Sequence, residues 1–167
     1  MNLVVVVMGV SGSGKTTVGR LLATRLAVPY AEADDFHPAE NIAKMSSGTP
    51  LSDDDRRPWL QAIGAWISTQ SGGVVTCSAL KRRYRDILRA AGEKVWFLHL
   101  AGDRDLIASR IAGRTDHFMP PALLDSQLAD LEPLSSTEPG IVVDIAEAPE
   151  DIVETVIQAL EGEFRSG

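Results

Sequence analysis

The sequence predicts an α/β domain in which one parallel five-stranded sheet carries helices on both faces. Three observations predict it. Gly9-Val10-Ser11-Gly12-Ser13-Gly14-Lys15-Thr16 fits the phosphate-binding loop pattern G-x-x-x-x-G-K-[ST] at every fixed position. It lies between an apolar, β-branched run at residues 3–8 and a stretch at residues 17–26 whose Val18, Leu21, Leu22 and Leu26 share one helical face. Strand-like and helix-like segments then alternate to the end of the chain, the pattern of a parallel sheet covered on both sides. The polar residues collect just past the carboxyl ends of the predicted strands, where such sheets hold their sites.

Each element has its own signal. Residues 3–8 are too few to span a bilayer, and they run straight into the glycine loop with no basic leader, so neither a membrane span nor a signal peptide is expected. A short second strand covers 29–34, ending in the polar loop Asp34-Asp35-Phe36-His37-Pro38. A helix over 40–45 is broken by Gly48-Thr49-Pro50. Ser52-Asp53-Asp54-Asp55 has capping-box spacing, and Pro58 marks either the first turn of the next helix or a kink. Trp59, Leu60, Ile63, Trp66 and Ile67 form the apolar face of that helix, which reads both tryptophans as core.

Gly72-Gly73 turns the chain into a third strand at 74–77, followed by a helix over 81–91 that Gly92 stops. A fourth strand at 95–100 holds His99 as a packed residue. A helix over 103–113 and a polar link at 114–119 come next. Pro120-Pro121 opens a helix through 131, a fifth strand covers 141–145, and the last helix covers 150–160 with a frayed tail from Gly162. No repeat or linker divides residues 1–167, so one domain is expected.

Composition narrows the function. The chain has 44% hydrophobic residues and a net charge of −7. Residues 147–163 alone carry −6, whereas residues 78–89 carry +4 through Lys81, Arg82, Arg83, Arg85 and Arg89. An acidic chain with one compact basic patch is not built for nucleic acid; it suits a small-molecule enzyme with anionic substrates. The single cysteine, Cys77, allows no intrachain disulfide, fits a reducing, cytoplasmic setting and reads as a small buried hydrophobe. The scattered histidines and Cys77 do not suggest a zinc site.

The chemistry follows from residue types. Gly9, Ser11, Gly12, Ser13 and Gly14 form a turn whose amides, with the start of the next helix, face phosphate oxygens. Lys15 brings a cation to the β- and γ-phosphates, Thr16 a hydroxyl to Mg²⁺, and Thr17 a further hydrogen bond. Phosphoryl transfer also needs a carboxylate near the acceptor. Asp34, ending the strand beside the loop, is the candidate, with Asp35 as the alternative. Arg110 and Arg114, four apart, suit a lid that closes over nucleotide phosphates. Lys81 and Arg85, also four apart, suit an anionic acceptor, or else an exposed basic face. His37 and His117 sit in polar loops, and Lys44 is a weaker candidate.

Several segments together resemble the bacterial gluconokinases of the thermoresistant type. They are Gly9–Thr16 with Val18-Gly19, Asp34 with His37-Pro38, Asn41-Ile42-Ala43-Lys44-Met45, Gly48-Thr49-Pro50-Leu51, Asp53-Asp54-Asp55-Arg56 and Pro58-Trp59-Leu60. Cys77-Ser78-Ala79-Leu80-Lys81 with Tyr84-Arg85-Asp86 is the most specific. His117-Phe118-Met119-Pro120, Ser126-Gln127 and Val143-Asp144-Ile145 continue the match. The resemblance implies the P-loop nucleoside-monophosphate-kinase-like three-layer fold shared with shikimate kinase, with sheet order 2-3-1-4-5 and a lid around 114–133. It implies transfer of the γ-phosphoryl of ATP, with Mg²⁺, to the 6-hydroxyl of D-gluconate, in carbohydrate-acid catabolism that feeds the pentose phosphate pathway. It further implies a homodimer.

By the same resemblance, Lys15, Thr16 and Thr17 hold phosphates and metal, and Asp34 faces the acceptor hydroxyl. Arg110 and Arg114 serve the nucleotide and lid side, and residues 146–149 pass near adenine. His37, Lys44, Arg56, Ser78, Lys81, Arg85 and His117 are acceptor-side candidates. Ala33 before Asp34, where the family often has Gly, and Asp35 after it, where an apolar residue is usual, depart from the family pattern. Rival readings are a shikimate or nucleoside-monophosphate kinase, a GTP-hydrolysing switch and a non-catalytic nucleotide-binding module. Ser78-Ala79-Leu80 stands where shikimate kinases carry a glycine triplet, no Asn-Lys-x-Asp guanine motif occurs, and intact Lys15 and Thr16 oppose a dead module.

Overall fold

Five runs of apolar and β-branched residues pair into one parallel sheet. They are β1 (Val4–Met8), β2 (Tyr30–Glu32), β3 (Gly73–Thr76), β4 (Val95–Ala101) and β5 (Gly140–Asp144). The spatial order is β2-β3-β1-β4-β5, with every neighbouring pair parallel. The computed structural model describes residues 2–90, 92, 94–113 and 121–165. β1 lies at the centre, with Val5 opposite Val74 on one side and Trp96 on the other, and all five of its side chains are inaccessible. Such burial on both faces explains why its sequence is continuously apolar rather than alternating.

The helices are α1 (Lys15–Leu26), α2 (Ala39–Ser46), α3 (Asp53–Thr69), α4 (Arg82–Arg89), α5 (Arg104–Ala112), α6 (Pro121–Asp130) and α7 (Pro149–Arg165). Successive side chains of a strand point to opposite faces, and β1 divides the core accordingly. Val5 and Val7 pack with Val18 and Leu22 of α1, Ile107 of α5, and Val153 and Val156 of α7. Val4, Val6 and Met8 pack with Trp59, Leu60, Ile63 and Ile67 of α3, and Tyr84 and Leu88 of α4. This gives three layers, helices–sheet–helices. Gly19 lets α1 approach closely, because a Cβ there would lie 3.0 Å from both Thr76 and Tyr30.

The capping box forms as its spacing predicts. The Asp55 amide donates to Ser52 Oγ at 3.1 Å, and the Ser52 amide donates to Asp55 Oδ2 at 2.9 Å. Several boundaries differ from the sequence reading. Pro58 lies inside α3, in its second turn rather than its first. Ala33–Phe36 form a short 3₁₀ turn where the end of a strand and the start of a loop are expected, so β2 stops at Glu32. α7 continues to Arg165 instead of fraying from Gly162. Among the described residues no helix is long and apolar enough to cross a membrane.

Candidate active site

The glycine loop connects β1 to α1, and the strand order places β2 and β3 on one side of it and β4 and β5 on the other. A cavity opens on each side. The first, about 190 Å³, is lined by Ser11, Lys15 and Thr16 from the loop and α1, Glu32 and Asp34 after β2, Thr76, Cys77 and Ser78 at the end of β3, and by Trp59 and Gln127. The second, about 330 Å³, is lined by Gly12, Ser13, Gly14 and Thr17 on one wall and by Ser109, Arg110, Gly113, Glu147 and Pro149 on the other. The two cavities divide the loop residues between them, so two ligands can meet across the loop.

The loop needs its glycines. Gly12 has φ +83°, and a Cβ there would stand 2.5 Å from Ile111 Cγ1. Gly14, also left-handed, forms the N-cap of α1. The Lys15 ammonium donates to the Gly9 and Val10 carbonyls at 2.8 and 3.2 Å, so it arches over the loop. Ser13 is buried. The Ser11 amide donates to Gln127 Oε1 at 2.7 Å, and Gln127 Nε2 donates to Ser11 Oγ at 3.1 Å.

On the first cavity, the Trp59 indole N–H donates to the Ala33 carbonyl at 2.7 Å, which ties α3 to the turn that presents Asp34. His37 stacks on Trp59 with ring centroids 4.3 Å apart and 10° between planes. Burial holds the His37 pKa below its ordinary value; the Asp34 charge opposes this and the Arg56 charge adds to it. Asp35 does not line the cavity, whereas Asp34 does. Cys77 is fully buried, and burial pushes its thiol up to about 12, which keeps it protonated and unreactive.

A smaller recess of about 40 Å³ adjoins, lined by Arg56, Trp59, Ser78, Leu80 and Tyr84 among others. The Tyr84 hydroxyl donates to Asp53 Oδ1 at 2.6 Å and accepts from Arg56 Nη1 at 3.1 Å. Lys81 lies 5.9 Å from the Tyr84 ring centroid. This gathers Arg56, Ser78 and Lys81 of the predicted acceptor set at one edge.

Other predicted residues lie elsewhere. Arg85 is not brought to the cavity: it is completely buried and forms a two-point ion pair with buried Glu138, at 2.6 and 3.1 Å. Its Nη1 also donates to the Ala79 carbonyl at 2.9 Å. Lys44 pairs with Asp55 at 2.8 Å and lines neither cavity. Arg110 lines the second cavity and donates to the Ile145 carbonyl. Arg114 and His117, with the whole of the predicted link at 114–119, fall outside the described residues. Sequence reasoning missed Glu32, Thr76 and the part played by Gln127, and it read Trp59 as core alone. Trp59 is 7% exposed and serves core and cavity together, which helical periodicity cannot reveal.

The comparisons agree with this geometry. The shikimate kinase family model matches residues 11–161. A gluconokinase of Gluconobacter oxydans (strain 621H) is 46% identical over 95% of this chain and 91% of its own length. The chain belongs to the gluconokinase family. A thermoresistant gluconokinase of Escherichia coli (strain K12) is 42% identical over 93% of this chain and 91% of its own. The crystal structure of a gluconokinase from Sinorhizobium meliloti 1021 superposes with a TM-score of 0.89 at 43% identity, covering 99% of this chain and 98% of that one. The gluconokinase fold is therefore this fold, with the sheet order and P-loop expected from the sequence.

Proposed function

We propose that the protein transfers the γ-phosphoryl group of ATP to the 6-hydroxyl of D-gluconate, giving 6-phosphogluconate and ADP. The observation that carries this reading is that Lys15, Thr16 and Asp34 line one cavity while the other face of the same loop lines a second, nucleotide-sized one. ATP lies with its base between Arg110 and residues 146–149, its phosphates along the loop and its γ-phosphoryl beside Lys15. Gluconate lies in the first cavity, its carboxylate toward the Arg56, Ser78 and Lys81 edge. Trp59, on which His37 stacks, forms a wall.

Asp34 accepts the hydroxyl proton as the hydroxyl oxygen bonds to the γ-phosphorus, and the bond from that phosphorus to the β-bridging oxygen breaks to release ADP. The Thr16 hydroxyl and the Asp34 carboxylate are hard oxygen donors on one cavity, a set that fits Mg²⁺. When bound, Mg²⁺ neutralises charge on the β- and γ-phosphates. We assign the enzyme to a reducing cytoplasm, consistent with its single buried thiol. A homodimer follows from the family resemblance.

The test is ADP release from ATP and Mg²⁺ over gluconate, other sugar acids, shikimate and nucleoside monophosphates. Turnover concentrated on gluconate is the expected result. Faster turnover on another acceptor would keep the kinase and discard the gluconate pocket.

A further inference from the structure

Gln127 joins two parts of the chain that are 116 residues apart. It projects from α6 to the tip of the phosphate loop and meets Ser11 twice. The geometry fixes which atom is which. A backbone N–H only donates, so the Gln127 oxygen faces the Ser11 amide and its NH₂ faces the Ser11 hydroxyl. The Ser11 oxygen therefore accepts from Gln127, and its own hydrogen is directed elsewhere. Ser11 lines the cavity that holds Lys15, Thr16 and Asp34, and it does not line the larger cavity across the loop. The amide of Ser11, which the motif alone assigns to phosphate, is already engaged by Gln127. The hydroxyl is what Ser11 presents to the site.

We propose that Gln127 is a positioning residue for phosphoryl transfer: its carboxamide holds Ser11 so that the Ser11 hydroxyl donates a hydrogen bond to the γ-phosphoryl group as it moves toward the acceptor. A donor set on the acceptor side of the loop acts on charge at the moving group more than on bound ATP. Its loss therefore lowers kcat rather than nucleotide affinity. α6 is anchored without Gln127, by buried Leu124, by the Arg104–Asp125 ion pair and by the Glu132 amide on the Leu80 carbonyl at 2.7 Å. Substitution at Gln127 consequently leaves the helix in place.

The inference rests on the gluconate-kinase reading, which wild-type turnover on gluconate tests by itself; the variants are judged only against that rate. Gln127→Leu and Ser11→Ala are each expected to lower kcat on the order of 10-fold to 100-fold, with the Kd for ATP, measured by calorimetry, changing less than about threefold. The double variant Ser11→Ala/Gln127→Leu should be no slower than Ser11→Ala alone, because both changes remove one hydrogen-bonded unit. Gln127→Glu separates positioning from packing. It keeps the shape and the acceptor for the Ser11 amide, but its carboxylate cannot donate and draws the Ser11 hydrogen to itself. Its kcat should fall with that of Gln127→Leu. Wild-type kcat in Gln127→Glu, additive losses in the double variant, or losses confined to ATP affinity would each overturn the proposal.

Discussion

Replacing Arg85 by methionine should destabilise the fold severely, although a sequence reading places this arginine in the substrate site. Both partners of the Arg85–Glu138 pair are at 0% exposure. The substitution leaves a buried carboxylate without its counter-charge, which costs about 3–5 kcal/mol. A chain of this size loses about 2–4 °C of Tm per kcal/mol, so a fall of roughly 6–20 °C is expected. Arg85→Met/Glu138→Leu removes the orphaned charge and should return part of that loss. The Ala79 carbonyl, which accepts from Arg85 at 2.9 Å, loses that donor, leaving about 1–3 kcal/mol, whereas the Leu80 carbonyl keeps the Glu132 amide.

The pH dependence has a definite sign. Burial pushes the Glu138 pKa up, but hydrogen bonds from Arg85 and the Ser135 amide, with the Arg85 charge, bring it below the usual glutamate value. A depressed carboxylate stabilises above its unfolded pKa and loses that contribution as pH falls through the folded value. In Arg85→Met the Arg85 bonds and charge are lost while the burial and the Ser135 amide bond remain, so the carboxyl protonates more readily than in wild type and the gap to wild type narrows on acidification. Thermal unfolding followed by circular dichroism at pH 7 and pH 5 reads both effects. A Tm within about 2 °C of wild type at pH 7, or a double variant no better than the single one, would refute the reasoning.

Two other substitutions test separate features. Asp34→Asn should lower kcat by about 10²–10⁴-fold with ATP binding kept, while Asp35→Asn stays near wild type; steady-state rates on gluconate decide, and the reverse ranking would move the base to Asp35. Ser52→Ala removes one half of the α3 capping box and should cost about 1 kcal/mol in urea unfolding. No change there would mean that the Lys44–Asp55 pair holds the turn alone.

The parts legible in sequence were those encoded locally. The β-branched runs, the glycine loop and Ser52-x-x-Asp55 each state their structure within a few residues, and all form where read. The cavity lining was legible where a polar residue sits just past a strand end, as Asp34 and Ser78 do. What failed depended on distant partners or on one angle. The spacing pairs Lys81 and Arg85 as neighbours on one helical face. Lys81 is in fact the extended N-cap residue, φ −106° and ψ 144°, so the helix that orients Arg85 begins after it. Arg85 turns inward to a glutamate 53 positions away, which no local pattern announces. Gln127 is the same case: its partner is 116 positions away in a loop whose motif accounts for the amide differently. The α7 tail failed for a milder reason, since Gly162 lowers helix propensity by only about 1 kcal/mol and buried Val153, Val156 and Leu160 anchor the helix just before it.

The division of labour across the site follows from strand order. With β1 between β3 and β4, every loop after β2 or β3 must fall on one flank of the phosphate loop and every loop after β4 or β5 on the other. Asp34 and Ser78 line the cavity on the β2–β3 flank, and Arg110 and Glu147 the one on the β4–β5 flank, for that reason before any side-chain detail is considered. Ser11 and Gln127 depart from this partition. Ser11 sits at the loop's tip, and Gln127 comes from α6, which lies between β4 and β5 in sequence yet reaches the acceptor cavity. The segment after α6 also grips the acceptor flank, through Glu132 on Leu80, Arg82 on Ser135 and Thr137, and Glu138 on Arg85. The chain that follows α5 is thus fastened to the loop and helix that follow β3. A kinase that must avoid transferring phosphate to water benefits from such fastening, because it ties a segment that follows the residues of one cavity in sequence to the residues that shape the other.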